Sequence, residues 1–578
     1  MPAAVPSRPS APLVRIHVDG VECEVPAGTN LVEAARKVGV EIPHFCYHSQ
    51  LSVAGNCRMC LVETGVRKSD PSTGDAGTGP GGAPEIAWSP KPASACTTLA
   101  SEGLHVRTLS PLVRECREGV LEFLNLNHPL DCPVCDQAGE CRLQEYAFAH
   151  GRGYSRAGTV KNRKPKALAL GPRVMFDAER CILCGRCVRF FREISKNPVL
   201  GFVKRGSRSE LACFPGTELD DNYSVNAADL CPVGALTSTS FRFGCRVWFL
   251  QKTPSICPES SAGVNTDVWH RDGRVFRITP RRNDAVNDSW MPDSGREFFR
   301  MQKAPDRMCE HLRDGVAVTS AAAIAAAGAL LRASSGRVAY VASGRLALEA
   351  QYLAALLVRA LPGPVWLPAH PGPADGLLVS EERTPNFRGA LLSGLFDRPP
   401  DADLAPLAAA LGSGAVQTLV IFCEDVTAFG VSPELLRKNR LKIIYFTPRA
   451  DETTARASVV FPVLHVFEKD GTFVNRQFRL QKFLRAVPGP EGVPAEMATL
   501  VRLLHALADG EGLAANGGSA AALPEPNVSA VWRQLGASPG PLHGLTFEGI
   551  PPEGVLLDGS PWAHIGFPEK SAALHYNA

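Results

Sequence analysis

The sequence predicts a multidomain chain in which small α+β domains come first and a larger α/β domain follows. Three observations predict this. The chain has 578 residues and a mass of 61.8 kDa, which at about 150 residues per domain corresponds to roughly four domains. Of its 18 cysteines, all but Cys257, Cys309 and Cys423 precede residue 246. From about residue 310 the pattern changes: Ala-rich helical stretches (321–333 and 346–361) alternate with short apolar strands (338–341, 417–422 and 441–446). That alternation is the pattern of a layered parallel sheet.

Composition narrows the function classes. A net charge of +3 excludes the strongly positive field of a general nucleic-acid binder. Hydrophobic content of 45% with 21% charged residues is globular rather than disordered. The N-terminus, MPAAVPSRPSAPL, lacks the apolar core of a secretory signal. No run approaches the ~18 apolar residues of a membrane span. The sequence therefore predicts a soluble, intracellular chain, where clustered cysteines are metal ligands rather than disulfides.

The elements follow in order. Leu13–Val18 alternates as a strand, Asp19-Gly20 is a hairpin turn and 21–25 is the return strand. Residues 30–38 have helical spacing, with Leu31, Ala34, Ala35 and Val38 on one face. Residues 69–84 form a low-complexity Gly/Pro-rich insertion. Its Gly77-Thr78-Gly79-Pro80-Gly81-Gly82 is a formal G-x-G-x-x-G, but no strand leads in and no helix leads out, so it is not a dinucleotide fingerprint. Residues 111–126 form a helix, 152–166 a basic linker expected to be a solvated loop, and 509–522 another Gly/Ala-rich loop.

Three cysteine groups carry the chemistry. The first is Cys46-x10-Cys57-x2-Cys60, with Cys96 far downstream. A two-iron cluster needs four thiolates converging from loops whose amides face the sulfurs. The plant-type spacing is C-x4-C-x2-C, so the long first gap is a departure. Cys96, among the small residues Ala93-Ser94-Ala95-Cys96-Thr97-Thr98, is the favoured fourth ligand, and Cys23 is the alternative. Half of a zinc site is the competing use of Cys57 and Cys60.

The second group is His128-x3-Cys132-x2-Cys135-x5-Cys141. Three cysteines are one short of a four-iron cubane. His128 in the ligand loop supplies the fourth donor, with Cys116 on a helical face as the alternative. A Cys3His zinc site would use the same residues.

The third group is the most specific. Cys181-x2-Cys184-x2-Cys187 begins the bacterial ferredoxin motif C-x2-C-x2-C-x3-C-P, but Phe191 stands where the local fourth cysteine belongs. Cys231-Pro232 is the tail of a second such motif, with Asp221, Ser224 and Ala227 where its own triad would be. In two-cluster ferredoxins the Cys-Pro cysteine of one motif ligates the other motif's cluster. One four-iron site on Cys181, Cys184, Cys187 and Cys231 therefore survives and its twin is erased. The other seven cysteines (Cys23, Cys116, Cys213, Cys245, Cys257, Cys309 and Cys423) are expected to be small buried hydrophobes.

This order of sites resembles the family of the large iron–sulfur subunit of NADH-quinone oxidoreductase (respiratory complex I). The N-terminal block is shared with iron-only hydrogenases and with NAD-linked hydrogenases and formate dehydrogenases. Residues 384–390, 451–462, 468–476 and 479–481 are similar to the molybdopterin-oxidoreductase fold of this subunit. The resemblance implies a two-iron, β-grasp ferredoxin domain at 12–107 and a His/Cys3 four-iron domain at 108–150. A four-iron ferredoxin-like domain would follow at 170–245. It implies at 246–305 a Mo/W-type four-iron domain reduced to a remnant, since Ser260, Val264 and Pro292 stand where partners of Cys257 are expected. A molybdopterin-oxidoreductase-like domain without molybdopterin would occupy 306–570.

The implied cofactors are one 2Fe-2S and two 4Fe-4S clusters. The implied function is relay of electrons from NADH and flavin toward quinone, within the respiratory-chain NADH dehydrogenase (translocase), with no substrate site on this chain. The implied partners are the other peripheral-arm subunits: the flavin/NADH-binding subunit, the small 2Fe-2S subunit, the 4Fe-4S ferredoxin-like subunit and the quinone-site subunits. The implied place is the cytoplasmic side of the inner membrane, peripheral and without a span. The alternatives are a diaphorase-linked subunit of a soluble NAD-dependent hydrogenase or formate dehydrogenase, and a zinc-stapled scaffold with no redox role.

Overall fold

A computed structural model describes residues 11–68, 85–334, 336–437, 440–508 and 523–566. The start of the Pro-rich N-terminus (1–10), the insertion 69–84 with its glycine pattern, and the loop 509–522 lie outside the described residues. The chain forms two compact units, one running to Trp248 and one beginning at Phe249.

The first unit opens with β1 (Leu13–Val18), β2 (Val21–Pro26) and α1 (Leu31–Lys37). Asn30 caps α1 by accepting from the amides of Val32 and Glu33, which satisfies donors that a helix start leaves open. Then come β3 (Leu61–Arg67), β4 (Ile86–Trp88), β5 (Ala93–Ser94) and β6 (Leu104–Arg107). The sheet order is β2-β1-β6-β3-β4, with β5 paired to β3. Only β1 and β6, at its centre, run parallel. Ile16, Val18, Val25, Leu31, Ala35 and Val106 fill the core beneath α1.

Helix α2 (Pro111–Asn127) follows, capped by Ser110 with Pro at its first position, and then α3 (Arg142–His150). The basic stretch 152–166 is not a free solvated loop. Arg152 and Arg156 pair with Glu118 and Glu122 of α2 at 2.8 and 2.6 Å. Lys161 donates to the carbonyls of Asn125 and Leu126 at the helix end, where backbone acceptors are unfilled and a cation is favoured. The basic residues answer an acidic face and a helix C-terminus.

The unit ends with β7 (Leu168–Ala169), β8 (Val174–Phe176), α4 (Arg186–Glu193), β9 (Leu200–Val203), β10 (Glu210–Cys213), α5 (Asn226–Leu230) and β11 (Leu236–Ser238). Antiparallel pairs β8–β11 and β9–β10 bracket the two helices. Ser224 and Ala227, from the erased triad, are fully buried. Asp221 instead accepts from Ser195 Oγ, Asn197 Nδ2 and the Tyr223 amide.

The second unit begins with an antiparallel sheet of β12 (Gln251–Ile256), β13 (Asn265–Arg271) and β14 (Arg274–Pro280), followed by the short α6 (Asp293–Arg296). Its main layer is a seven-stranded sheet of β15 (His311–Arg313), β16 (Val316–Val318), β17 (Val338–Val341), β18 (Val365–Trp366), β19 (Thr418–Phe422), β20 (Lys442–Thr447) and β21 (Val459–Pro462). The order is β16-β15-β21-β20-β19-β17-β18. From β18 to β21 every pairing is parallel.

Helices α7 (Ser320–Ala333), α8 (Leu348–Ala360), α9 (Phe387–Leu392), α10 (Ala405–Ser413) and α11 (Pro433–Leu436) connect these strands. A hairpin of β22 (Gly471–Val474) and β23 (Arg479–Phe483), then α12 (Glu496–Ala508), α13 (Val528–Ala537) and β24 (Val555–Leu556), complete the described chain. Phe422, Phe446 and Phe461 stack across three neighbouring parallel strands, with centroids 5.0 and 4.7 Å apart. Each buried ring contributes about 1.5–3 kcal/mol. Among the described residues no helix is long and apolar enough to cross a membrane.

Candidate metal centres

The first group is assembled by strand register. Leu61 of β3 lies opposite Ser94 of β5, and the amide of Ala95 donates to the carbonyl of Cys60 at 3.0 Å. Cys96 is thereby brought beside Cys60 despite the long insertion between them. The thiols form a continuous row: Cys57 contacts Cys46, Cys46 contacts Cys96, and Cys96 contacts Cys60. The Cys46 amide also points at Cys57 Sγ, 3.5 Å away.

Shared protons drive Cys46 well below the usual thiol range and Cys60 down to about 7, while Cys57 and Cys96 are pushed up by their thiol neighbours. The ligand loop turns through left-handed backbone at Gly55 (φ 63°) and Arg58 (φ 59°), which lets successive amides face inward. Cys23 takes no part in this row; its thiol donates to the Ala34 carbonyl within the core.

The second group sits where α2 ends. His128 is the C-cap of α2, Cys132 starts a 3-10 turn that Cys135 closes, and Cys141 is the N-cap of α3. Burial holds the Cys141 thiol up at about 11, with added repulsion from Cys135 and Cys132. Burial, aided by Arg180 and Lys161, lowers His128 to about 4, so the imidazole is neutral and has a lone pair to give. The field of Arg180 also reaches Cys135. The alternative, Cys116, lies on α2 in the field of Glu115 and Glu63.

The third group rings a cavity. Cys181, Cys184, Cys187 and Cys231 line it together, with Gly185, Arg186, Phe202, Leu211 and Val233 among the other walls. Leu183 (φ 55°) and Gly185 (φ 72°) put the loop in left-handed conformation. Burial raises all four thiols, Cys181 to about 11 and Cys231 to about 12, and mutual repulsion adds to it. Four thiols facing one cavity are the donor set that a four-iron cubane takes.

The fold sets these groups side by side in a way their sequence order hides. The third group neighbours the first: Arg189 Nη2 donates to the Cys46 carbonyl, and the charge of Cys46 reaches Cys184. It also neighbours the second. A Cβ on Gly234, three residues past Cys231, would lie 2.2 Å from Cys135 Sγ, and the Arg142 amide donates to the Pro232 carbonyl at 3.0 Å. Sequence reasoning missed the buried Arg180, Arg186 and Arg189, and the half-buried Arg246, which donates to the carbonyls of Cys135 and Pro133. The available signal was charged residues at helical spacing (186, 189, 193) directly after the third cysteine group.

Of the other cysteines, Cys257 and Cys23 are buried, and Cys116, Cys213, Cys245 and Cys423 are half-buried. Cys309 is exposed, against expectation, because it lies in the short loop before β15 rather than in the core.

Family models match four segments. Residues 11–111 match a 2Fe-2S iron-sulfur cluster binding domain, and 117–156 match the NADH-ubiquinone oxidoreductase-G iron-sulfur binding region. Residues 171–237 match the ferredoxin-like domain of NADH-quinone oxidoreductase subunit 3. Residues 250–299 match an NADH-ubiquinone oxidoreductase NDSU1/NuoG-like, 4Fe-4S domain.

The G subunit of NADH-quinone oxidoreductase from Rickettsia conorii is 40% identical over 284 residues, covering 49% of this chain and 39% of that protein. The NADH-ubiquinone oxidoreductase 75 kDa subunit of Reclinomonas americana is 42% identical over 284 residues, covering 49% and 38%. The G subunit from Streptomyces coelicolor is 37% identical over 302 residues, covering 52% and 33%. A solved chain from an NAD+-reducing [NiFe]-hydrogenase is 28% identical and covers 40% of this chain and 91% of its own, with a TM-score of 0.32. The matched region spans about two fifths of the length of the Rickettsia and Reclinomonas relatives. Between residues 11 and 299 the chain is similar to the large iron–sulfur (G, or 75 kDa) subunits of NADH-quinone oxidoreductases.

Proposed function

We propose that this chain is an electron-relay subunit of an NADH:quinone oxidoreductase, passing electrons that originate at NADH and flavin toward quinone. The observation that carries the reading is the placement of the third cysteine group against both others within one compact unit.

The proposed ligands are Cys46, Cys57, Cys60 and Cys96 for a 2Fe-2S cluster. His128, Cys132, Cys135 and Cys141 would hold one 4Fe-4S cluster, and Cys181, Cys184, Cys187 and Cys231 the other. Each bound cluster supplies a one-electron carrier. The chain's own residues do the rest. Thiols and imidazole fix position, amides of the left-handed loops face the sulfurs, and buried arginines offset negative charge.

Residues 246–305 are proposed to hold no cluster, because Cys257 lacks cysteine partners at Ser260, Val264 and Pro292. The second unit is proposed to be a molybdopterin-oxidoreductase-like scaffold without that cofactor. The proposed partners are the flavin/NADH-binding, small 2Fe-2S, 4Fe-4S ferredoxin-like and quinone-site subunits. The proposed location is the cytoplasmic face of the inner membrane.

Anaerobic purification under mild conditions tests the reading. The expected result is about ten irons per chain with matching sulfide and co-purification with a membrane NADH-oxidising assembly. A zinc-filled, colourless protein overturns the redox reading. A soluble complex containing nickel or molybdenum overturns the quinone assignment in favour of a hydrogenase or formate dehydrogenase.

A further inference from the structure

Helix α4 follows directly on the third cysteine group, and its charged residues are buried. Arg186, Arg189 and Glu193 are 6, 6 and 5% exposed. Two of the three have full accounts. Glu193 accepts from the amide and hydroxyl of Ser52 at 2.9 and 2.5 Å. Arg189 donates to the carbonyls of Gly185, Ser52 and Cys46. These contacts fasten α4 to the loop that carries Cys46.

Arg186 is different. Its Nη2 donates to the carbonyl of Tyr47, next to Cys46, and its Nη1 reaches the carbonyl of Leu230, next to Cys231, at 3.4 Å. The guanidinium therefore joins the backbone beside a ligand of the first group to the backbone beside a ligand of the third. Its Nε–H is buried and has no hydrogen-bond acceptor, although Arg186 lines the cavity ringed by Cys181, Cys184, Cys187 and Cys231. A buried donor left unmade is costly, and an arginine cannot shed its charge to escape. The acceptor chemistry that this cavity offers is sulfur.

We propose that Arg186 is a positioning residue shared by the two centres. Its Nε–H donates to a sulfur of the cluster held by Cys181, Cys184, Cys187 and Cys231, and its charge holds the potentials of that cluster and of the Cys46 cluster up. The inference rests on the ligand reading above. The sign follows from electrostatics. Reduction adds an electron to each cluster, and a nearby buried cation favours the reduced state.

The test is a spectroscopic redox titration of the assembled protein carrying Arg186→Gln, beside Arg186→Lys and the unaltered chain. In Arg186→Gln the reduced-to-oxidised ratio of the third cluster falls about tenfold at a fixed ambient potential, about 59 mV for one electron. The two-iron signal shifts the same way by less, and Arg186→Lys recovers part of both. Signals present in all three proteins at unchanged potentials overturn the role of Arg186 and leave the ligand reading standing. Unaltered protein with no iron–sulfur signals overturns both.

If Arg186→Gln fails to load the cluster, the unaltered protein decides. With guanidinium-15N arginine incorporated, the reduced third cluster shows a weak 15N coupling that Arg186→Lys abolishes. Absence of that coupling overturns the hydrogen bond.

Discussion

Replacing Gly234 by alanine puts the contact between the second and third cysteine groups under a direct load. The new Cβ would sit 2.2 Å from Cys135 Sγ and 3.1 Å from the Cβ of Gln137. Ordinary contact lies near 3.5–4.0 Å, so one side must move by more than about 1 Å. Neither side is free to do so. The Cys135 carbonyl is held by Arg246, and Pro232, two residues before Gly234, accepts from the Arg142 amide. Overpacking of this kind costs about 1–3 kcal/mol. The larger effect is on metal binding, because ligand positions tolerate only about 0.2 Å. Iron per chain falls from about ten to about six, and one four-iron signal is lost from the reduced spectrum while the two-iron signal persists. The assay is iron and sulfide analysis with spin quantitation on anaerobic protein. Full iron content with an unchanged spectrum would show that Cys135 bears no ligand role sensitive to this contact, and would refute the reasoning.

Three further outcomes follow from other parts of the chain. Gly119 lies inside α2, and a methyl group placed on it would have nothing within 4 Å, so Gly119→Ala stabilises the first unit by about 0.5–1 kcal/mol, measured by denaturant unfolding; a destabilised variant contradicts the open surface. His465 in the second unit is lowered by burial, with Arg307 and Lys469 adding to it, to about 3. The folded state thus prefers the neutral ring, so its stability is intact above the unfolded value of about 6.5 and is lost as pH falls from there toward 3. At pH 5 the loss is about 2 kcal/mol, and His465→Gln should flatten the urea-midpoint profile between pH 7 and 5; parallel profiles would contradict this. Lys469 and Glu496 form a buried ion pair, so Lys469→Met alone costs about 3–5 kcal/mol, and the double change with Glu496→Leu recovers most of it in the same unfolding assay; equal losses in the two variants would speak against the pair.

Much of the local fold was legible because it rests on local rules. The alternation of Leu13–Val18, the Asp19-Gly20 turn and the helical spacing of Leu31, Ala34 and Ala35 each declare themselves within a few residues, and the structure follows them. The parallel strands 338–341, 418–422 and 442–447 were readable as apolar runs between Ala-rich helices. The cysteine spacing around Cys181 was readable as a loop motif, and the structure brings Cys181, Cys184, Cys187 and Cys231 to one cavity. What the sequence hid were pairings between distant segments. Nothing local announces that β3 and β5 bring Cys96 to Cys60 across an insertion, or that the glycine at 234 exists to let Cys135 approach. Nor does the basic run 152–166 reveal that it follows an acidic helix face 34 residues earlier.

The buried arginines carry this point furthest. Arg117 is 1% exposed, its Nε and Nη2 have no hydrogen-bond acceptor, and burial lowers it to about 10 despite the favourable fields of Asp19 and Cys60. Arg180 is buried against Asp131 and Asp177 beside the second and third groups, and Arg186 stands between the third and the first. Arg180 has those carboxylates as partners, but for Arg117 and Arg186 burial opposes the charge. Four thiolates around iron–sulfur leave net negative charge in a dry site, and there the same cations are counter-ions. Cysteine spacing identifies where the clusters would be held. The cations, scattered over residues 117–189 with no motif to betray them, are the part of each site that only the fold assembles.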